Sequence, residues 1–244
     1  MANAPNLGLW PNFTDLPEEL HGFLRTAIFV MSTNSSYLRY TETMTLAIDD
    51  AFLPATLAPY PMTDEEFSVF CSEHPDLNFE MTAEGELIVM APTHFAIGNR
   101  NAQINHRLFS WAEKDSRGIV GESSTGFVLP NGARRSPDAS WTLLSRITIL
   151  EPIDRDGFLH LCPDFVIELR SDTDRLSTLR KKMGEYIANG AQLGWLIDPK
   201  TSSVEIYRPG QETEVVTGIL TIEGEGPVPG FVLPLERIWN PFGV

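Results

Sequence analysis

The sequence predicts a mixed α/β domain whose central sheet is flanked by helices. Residues 162–199 follow a strand, helix, strand order, and the two strands of such a unit usually pair in parallel. The dipeptide Asn131-Gly132 separates two more strand-like runs and is a strong signal for an antiparallel hairpin. A further run, VEIYR at residues 204–208, follows a short polar turn and is expected to pair back on the sheet. The predicted sheet therefore contains both parallel and antiparallel pairs.

The first strand of this unit covers residues 164–170. Side chains of a strand alternate between two faces, so Phe165, Ile167 and Leu169 share one face, which we expect to pack in the core. The opposite face is unusually charged and carries Asp164, Val166, Glu168 and Arg170.

The helix of the unit covers residues 176–189 and ends at Gly190. Its apolar stripe is formed by Leu176, Leu179, Met183, Tyr186 and Ile187. At about 100° per residue, Lys181 falls opposite this stripe and should point to water, whereas Lys182 lies at its border and can reach inward. The apolar run at residues 195–197 is typical of a strand that is covered on both faces.

Shorter elements precede this unit. Thr63, with Glu66 three residues later, predicts a capped helix, and residues 83–85 predict a hairpin turn. Apolar positions between residues 97 and 111 predict a second amphipathic helix, whose polar residues include Asn101 and Asn105.

The N-terminal part of the chain differs from the rest. Residues 1–61 carry one helix-like run at residues 16–30 and no strand-pairing signal. We therefore expect an N-terminal extension over residues 1–61, partly disordered or loosely packed, followed by one domain over residues 62–244.

Composition limits the classes of function. No segment approaches the ~20 apolar residues of a membrane span, and no secretory signal begins the chain, so we expect a cytoplasmic protein without a membrane partner. Cys71 and Cys162 are too few and too scattered for a disulfide framework or a zinc cluster. The net charge of -15 repels nucleic-acid phosphates, so a nucleic-acid partner requires a local basic surface, for which residues 134–135 and 180–182 are candidates.

Acidic side chains at strand starts indicate a site for chemistry. Asp138 and Asp164 each follow a proline and open a strand. Asp164 and Glu168 share a face but lie roughly 13 Å apart at ~3.3 Å per residue, which is too far to share a metal ion. Asp138 is the natural partner of Glu168, because its strand precedes and can neighbour the strand of Glu168. With Lys182 projecting from the next helix, two such carboxylates would form an oxygen-ligand site for Mg²⁺ beside a cation.

Six segments carry a resemblance to a known family: MTDEEF, GNRNAQIN, SSTGFVLPNGARRSPDASW, CPDFVIELRS, KMGEYIANGAQLGWLIDP and VEIYRPGQ. In order and spacing they resemble the Uma-two family of restriction-type endonucleases, also called domain of unknown function 820. That family is similar to the PD-(D/E)XK nuclease superfamily, and the likeness runs from about Met62 to Trp239. The resemblance implies a restriction-endonuclease-like core, with a central mixed sheet flanked by helices.

The resemblance also assigns roles to residues of this chain. It implies that Asp138 is the acid of the first motif, Glu168 the acid of the second, and Lys182 the lysine that the family supplies from the following helix. Arg170 stands two positions after Glu168, where the superfamily often has its lysine. Arg170 and Asp164 are therefore expected to support the site.

Two departures from the family pattern bear on metal affinity. Asp172 stands where relatives commonly have proline, and it adds a negative charge near the predicted site. The first core helix offers Asn101 and Asn105 where many superfamily nucleases present a glutamate.

Each site residue also has a purely structural interpretation. Asp138 and Asp164 could form turns or caps, Glu168 could pair with Arg170, and Lys182 could run along the helix edge to solvent.

The resemblance implies a Mg²⁺-dependent DNA endonuclease, with Mn²⁺ as the alternative ion and a homodimer as the assembly, because cutting both strands needs two sites. Arg134 and Arg135, close to Asp138, are expected to bind phosphate or to form a solvated turn. The alternative function is a module that keeps the nuclease fold but binds protein or nucleic acid without cutting.

Overall fold

The computed structural model describes residues 28–32, 43–47, 55–57, 62–90, 92–150 and 157–243. The chain divides into two compact units, Met1–Ala55 and Thr56–Val244. Among the described residues, none of the helices has the length and apolar character needed to cross a bilayer.

The first unit contains a strand pair. Strand β1 (Ile28–Ser32) runs antiparallel to strand β2 (Thr43–Ala47). The helix predicted over residues 16–30 is therefore wrong at its end, because the β-branched and aromatic residues at 28–30 favour a strand. Residues 16–27 lie outside the described residues, and the loose packing expected of residues 1–61 stays a prediction.

The remaining strands are β3 (Ala55–Leu57), β4 (Phe79–Met81), β5 (Leu87–Val89), β6 (Gly118–Glu122), β7 (Phe127–Val128), β8 (Arg134–Arg135), β9 (Ala139–Leu143), β10 (Phe165–Leu169), β11 (Leu193–Asp198), β12 (Ser203–Tyr207), β13 (Glu214–Thr217), β14 (Thr221–Glu223) and β15 (Val232–Pro234). The helices are α1 (Asp64–Glu73), α2 (Phe95–Asp115), α3 (Leu144–Thr148), α4 (Leu176–Ala188) and α5 (Glu236–Trp239). Thr63 and Glu66 form the predicted capping box at the start of α1.

A six-stranded mixed sheet is the centre of the second unit, in the order β13-β12-β11-β10-β9-β6. Strands β10 and β11 run parallel and are connected by α4, whereas the other neighbours in this sheet are antiparallel. The predicted strand, helix, strand unit is thus confirmed. Every residue of β11 is buried, which confirms that the run at residues 195–197 is covered on both faces.

The predicted hairpin at Asn131-Gly132 joins β7 to β8, and Gly132 adopts the positive φ of 86° that a tight turn favours. The two long strands expected around it are instead four short ones. Strands β6 and β9 belong to the central sheet, whereas β7 and β8 belong to a five-stranded sheet in the order β3-β5-β4-β8-β7. A turn closed by Thr125 interrupts the first run, and Pro137, which has no N–H for a ladder hydrogen bond, lies between β8 and β9.

Apolar clusters cover both faces of the central sheet. One cluster joins α2 to Phe165, Ile167 and Leu169 of β10, and the other joins α4 to Val166. This confirms the predicted alternation along β10. Because Glu168 has the same parity as Val166, it lies on the face that α4 covers.

Candidate active site

The ammonium of Lys182 lies between two buried carboxylates. Its Nζ atom is 2.8 Å from Glu168 Oε1 on β10 and 2.8 Å from Glu80 Oε1 on β4. Lys182 is 8% exposed, whereas Lys181 is exposed, which confirms the orientation predicted from the helical wheel. An ammonium is tolerated in such a buried place only when it is paired, and here it has two partners.

Glu80 belongs to the cluster although the sequence did not single it out. Its Oε1 accepts a hydrogen bond from the Ser136 N–H at 2.9 Å, and its Oε2 is 3.2 Å from Arg135 Nη1. Arg135 Nε is in turn 2.6 Å from Glu185 Oε2. Burial alone would raise the pKa of Glu80, but the charges of Lys182 and Arg135 hold it below its ordinary value.

Glu168 is the carboxylate of this cluster that most readily carries a proton. Tyr186 donates its hydroxyl to Glu168 Oε1 at 3.0 Å, beside the ammonium of Lys182. Burial raises the pKa of Glu168 to about 8 against the opposing charge of Lys182, and the charges of Asp138 and Glu80 raise it further. Burial would lower the pKa of Lys182, but the two carboxylates raise it, so Lys182 stays charged.

Asp138 lies just before β9 and beside the end of β10. Its Oδ2 accepts the Leu169 N–H at 2.7 Å, and its Oδ1 accepts a hydrogen bond from Asn101 Nδ2 at 2.8 Å. Asn105 Nδ2 donates to the main-chain oxygen of Asp138 at 2.8 Å. The antiparallel register of β9 and β10 places Asp138 opposite Glu168. The structure thus brings Asp138, Glu168 and Lys182 together from three separate parts of the chain.

The environment of Asp138 also favours its protonated form. Burial raises its pKa, and the nearby charge of Asp174 adds to this rise, whereas the Leu169 N–H and Lys182 oppose it. Two neighbouring carboxyl groups, Asp138 and Glu168, therefore have raised pKa values, which is the pattern expected where a cation is missing.

The amides beside Asp138 carry buried oxygens that lack a hydrogen-bond donor. These atoms are Asn101 Oδ1 and Asn105 Oδ1. A buried polar atom without a partner costs free energy, so this pair indicates room for a donor such as bound water. Mg²⁺ prefers oxygen ligands and is often held by one or two carboxylates plus waters, which fits Asp138 and Glu168 with these amides nearby. Within the described residues no three His, Cys, Asp or Glu side chains form a metal cluster, so waters and substrate oxygens would complete the coordination.

Asp164 lies at the opposite end of β10 from this cluster. Its Oδ2 accepts the Leu143 N–H at 2.9 Å, and its Oδ1 accepts a hydrogen bond from Arg146 Nη1 at 2.8 Å. These contacts match the structural interpretation of a carboxylate that fixes a strand end.

The other predicted cations are also engaged by carboxylates. Arg170 Nη1 is 2.6 Å from Asp198 Oδ2, so Arg170 does not pair with Glu168. The guanidinium of Arg134 contacts Asp64 and lies over the ring of Phe67. Because Arg134 and Arg135 are both buried and paired, neither offers a free guanidinium to a phosphate. Their predicted phosphate binding stays a prediction with no support from this geometry.

The two departures from the family pattern have different outcomes. Asp172 is exposed, and its Oδ1 is 3.5 Å from Lys200 Nζ, so its charge is partly neutralised. The acid whose charge acts on Asp138 is Asp174, which also accepts the Ser171 N–H at 2.7 Å. The amides of Asn101 and Asn105 occupy the helix positions where a glutamate was expected, and they hold Asp138 in place.

The raised pKa of Glu168 predicts a stability that falls as pH rises. The ordinary pKa of 4.5 applies to the unfolded chain and about 8 to the folded one, so the folded state binds the extra proton between these values. Unfolding releases that proton, and the free energy of unfolding of the metal-free protein should therefore decrease by a few kcal/mol across this range. Urea titrations at successive pH values measure it.

The matched variant for this experiment is Glu168→Gln, which keeps the shape of the side chain but cannot titrate. Its free energy of unfolding should change less over the same pH range than that of the wild type. Parallel pH curves for the two proteins would contradict the assignment of the proton to Glu168.

Comparison with known proteins identifies the family. The model of the Uma2 family, described as "Putative restriction endonuclease", matches residues 64–236. This chain belongs to the Uma2 family. Among solved structures it is similar to the crystal structure of "a putative nuclease belonging to DUF820" from Anabaena variabilis, with 24% sequence identity and a TM-score of 0.58, covering 73% of this chain and 98% of that one. No curated protein matches this chain.

Membership of the Uma2 family supports a nuclease function, and the solved structure supports the predicted fold, a mixed sheet with a restriction-endonuclease-like arrangement. The region that matches the Uma2 model contains Glu80, Asp138, Glu168 and Lys182. Of these, only Glu80 was missed. It stands between Phe79 and Met81 in a three-residue strand, where an alternating pattern indicates an exposed residue rather than a buried one.

Proposed function

We propose that this protein is a metal-dependent endonuclease that hydrolyses phosphodiester bonds in DNA. The observation that carries the proposal is the meeting of Lys182 Nζ with Glu168 Oε1 at 2.8 Å, beside an Asp138 that hydrogen-bonds the next residue of β10. A cation and two carboxylates with raised pKa values are suited to bind a divalent ion and a phosphate together.

Asp138 and Glu168 would hold Mg²⁺, or Mn²⁺ in its place. When bound, the ion supplies a more acidic water and neutralises charge on the scissile phosphate. Glu168 must give up its proton to serve as a ligand, and the neighbouring Lys182 charge makes that loss easier. In the reaction the water oxygen bonds to phosphorus, the bond to the leaving sugar oxygen breaks, and that oxygen takes up a proton.

The remaining residues of the cluster fix the geometry. Glu80 and Tyr186 restrain Lys182 and the Glu168 carboxylate, so that the ammonium points between the carboxylates rather than to solvent. Lys182 then stabilises negative charge on a phosphate oxygen or orients the attacking water. Asn101 restrains the Asp138 carboxylate in the same way.

The test is cleavage of a supercoiled plasmid with Mg²⁺, beside a sample containing a chelator. The wild type should convert the plasmid to nicked or linear DNA, and Glu168→Gln should lower the rate by at least about a hundredfold. Equal rates for the wild type and the variant would indicate a contaminating nuclease and end the proposal. We also propose a homodimer, for which sedimentation should give twice the chain mass.

One observation favours a second candidate, a non-catalytic binding module with the nuclease fold. Lys182 already neutralises Glu168 and Glu80 in the absence of any ion, so the cluster is complete as a structural element. Such a module would bind its partner without taking up a divalent ion through Asp138 and Glu168.

A further inference from the structure

Two arginines that lack a carboxylate partner meet in one surface pocket. Arg107 of α2 and Arg237 of α5 are both exposed and line a cavity of about 470 Å³. The other lining residues are Asn99, Gln103 and His106. We call this cavity the α2–α5 pocket.

The free charge of the α2–α5 pocket stands out against the rest of the chain. The basic runs visible in the sequence are neutralised: Arg135 by Glu80 and Glu185, and Arg180 by Glu205. Within the part of the chain that the structure describes, no carboxylate pairs with Arg107 or Arg237. In a protein of net charge -15, such a pair of arginines is a local basic surface of the kind that a nucleic-acid binder requires.

The lining of the pocket is suited to phosphate. An arginine can donate two parallel hydrogen bonds to phosphate oxygens, and two arginines around one cavity can hold a phosphate from two sides. Gln103 Nε2 donates to Asn99 Oδ1 at 2.7 Å, which fixes these two amides at the wall of the pocket. His106 adds a ring nitrogen that can also donate.

An exposed aromatic pair lies along the same face of α2. Phe95 precedes Asn99 by one helical turn, and its ring stacks on that of Phe242 with centroids 6.4 Å apart and an interplanar angle of 8°. Phe95 is 78% exposed and Phe242 is 63% exposed, so the pair leaves apolar ring surface open to solvent. Bases of a single strand stack on such rings, whereas a paired duplex shields its base faces.

We propose that the α2–α5 pocket binds backbone phosphates of a nucleic-acid strand, with the Phe95–Phe242 pair as a stacking surface for a base. The proposal rests on the nucleic-acid substrate of the proposed function and adds where the strand is held outside the catalytic cluster. Single-stranded DNA should therefore bind more tightly than duplex DNA of the same length.

Helix α2 connects this pocket to the catalytic cluster. At about 100° per residue, Asn99 and Gln103 lie nearly opposite Asn101 and Asn105, whose amides contact Asp138. A helix with its side chains is about 10–12 Å across, a distance that roughly three to four phosphates cover at about 3.4 Å each. One strand can thus reach both the pocket and Asp138.

The test measures binding of a fluorescent oligo-thymidine and of a duplex by anisotropy, in chelator so that no cleavage occurs. Arg107→Glu/Arg237→Glu is compared with Lys114→Glu/Lys181→Glu, which makes the same charge change at exposed positions elsewhere. The first variant should lose about tenfold or more in affinity and reduce the salt dependence by about two phosphate contacts, and the control should stay near the wild type. Phe95→Ser should weaken oligo-thymidine binding with little effect on the duplex.

Equal affinities for the two charge variants would overturn the proposal, as would a wild type that binds neither oligonucleotide. Circular dichroism melts of each variant exclude loss of folding as the cause. Sedimentation of Phe95→Ser tests whether the aromatic pair instead joins two copies of the chain, a result that would also overturn the stacking role. If Asp138→Asn binds oligonucleotide normally and neither it nor the wild type cleaves plasmid, the hydrolytic proposal fails while the pocket stands.

Discussion

Lys182→Met is expected to lower the free energy of unfolding by about 3–5 kcal/mol, because it leaves Glu80 and Glu168 buried without their shared cation. Plasmid cleavage should fall below detection in the same variant, since the charge that would stabilise the phosphate is gone. Urea unfolding at neutral pH and the plasmid assay measure the two effects on one preparation.

Lys181→Met is the matched control, because Lys181 is the exposed neighbour on the same helix. Its stability should stay within about 0.5 kcal/mol of the wild type and its cleavage should be unchanged. The double variant Lys182→Met/Glu168→Gln should recover part of the lost stability, because it removes an uncompensated charge, but no cleavage. An ordinary surface effect, with equal costs at Lys181 and Lys182, would contradict the buried cluster.

Asp138→Asn is expected to reduce the cleavage rate by at least about a hundredfold while the protein stays folded. The amide can still accept one of the two hydrogen bonds, from the Leu169 N–H or from Asn101, but it binds a divalent ion poorly. Burial already disfavours the charged form of Asp138, so the loss of that charge should cost little stability. The plasmid assay and a thermal melt report the two quantities.

Asp164→Asn is the contrasting variant, since Asp164 also follows a proline and opens a strand. It should lose its ion pair with Arg146, at a cost of about 1 kcal/mol of unfolding free energy, and retain cleavage. If both variants lost cleavage equally, the distinction between the two ends of β10 would be wrong.

Strand and helix periodicity predicted much of the site. The alternation along β10 placed Glu168 on the face opposite Phe165, and the helical wheel of α4 placed Lys182 at its inner edge. These predictions succeed because the direction of a side chain within one regular element follows from local geometry. The parallel pairing of β10 with β11 followed in the same way from the connecting helix.

Residues that depend on long-range pairing were harder to predict. Glu80 lies far from Lys182 in sequence, on a strand of another sheet, and only the folded chain reveals that it is buried beside the ammonium. The antiparallel pairing of β9 and β10 likewise separates two similar carboxylates: Asp138 meets the end of β10, whereas Asp164 meets the end of β9.

Charge runs were the least reliable guide. Arg134 and Arg180 were candidates for a basic surface because each has a basic neighbour in the sequence. In the structure each is paired with a carboxylate from a distant segment, Asp64 and Glu205 respectively. Sequence adjacency reports how many charges a segment carries, but whether those charges are free depends on tertiary contacts.

Calorimetric titration of Mn²⁺ into the metal-free protein tests the central claim most directly, that Asp138 and Glu168 form one divalent-cation site beside Lys182. The wild type and Asp164→Asn should each bind an ion with protons released on binding, because Glu168 gives up its proton. Asp138→Asn and Glu168→Gln should show no such binding. Equal heats of binding in all four proteins, or none in the wild type, would contradict the account.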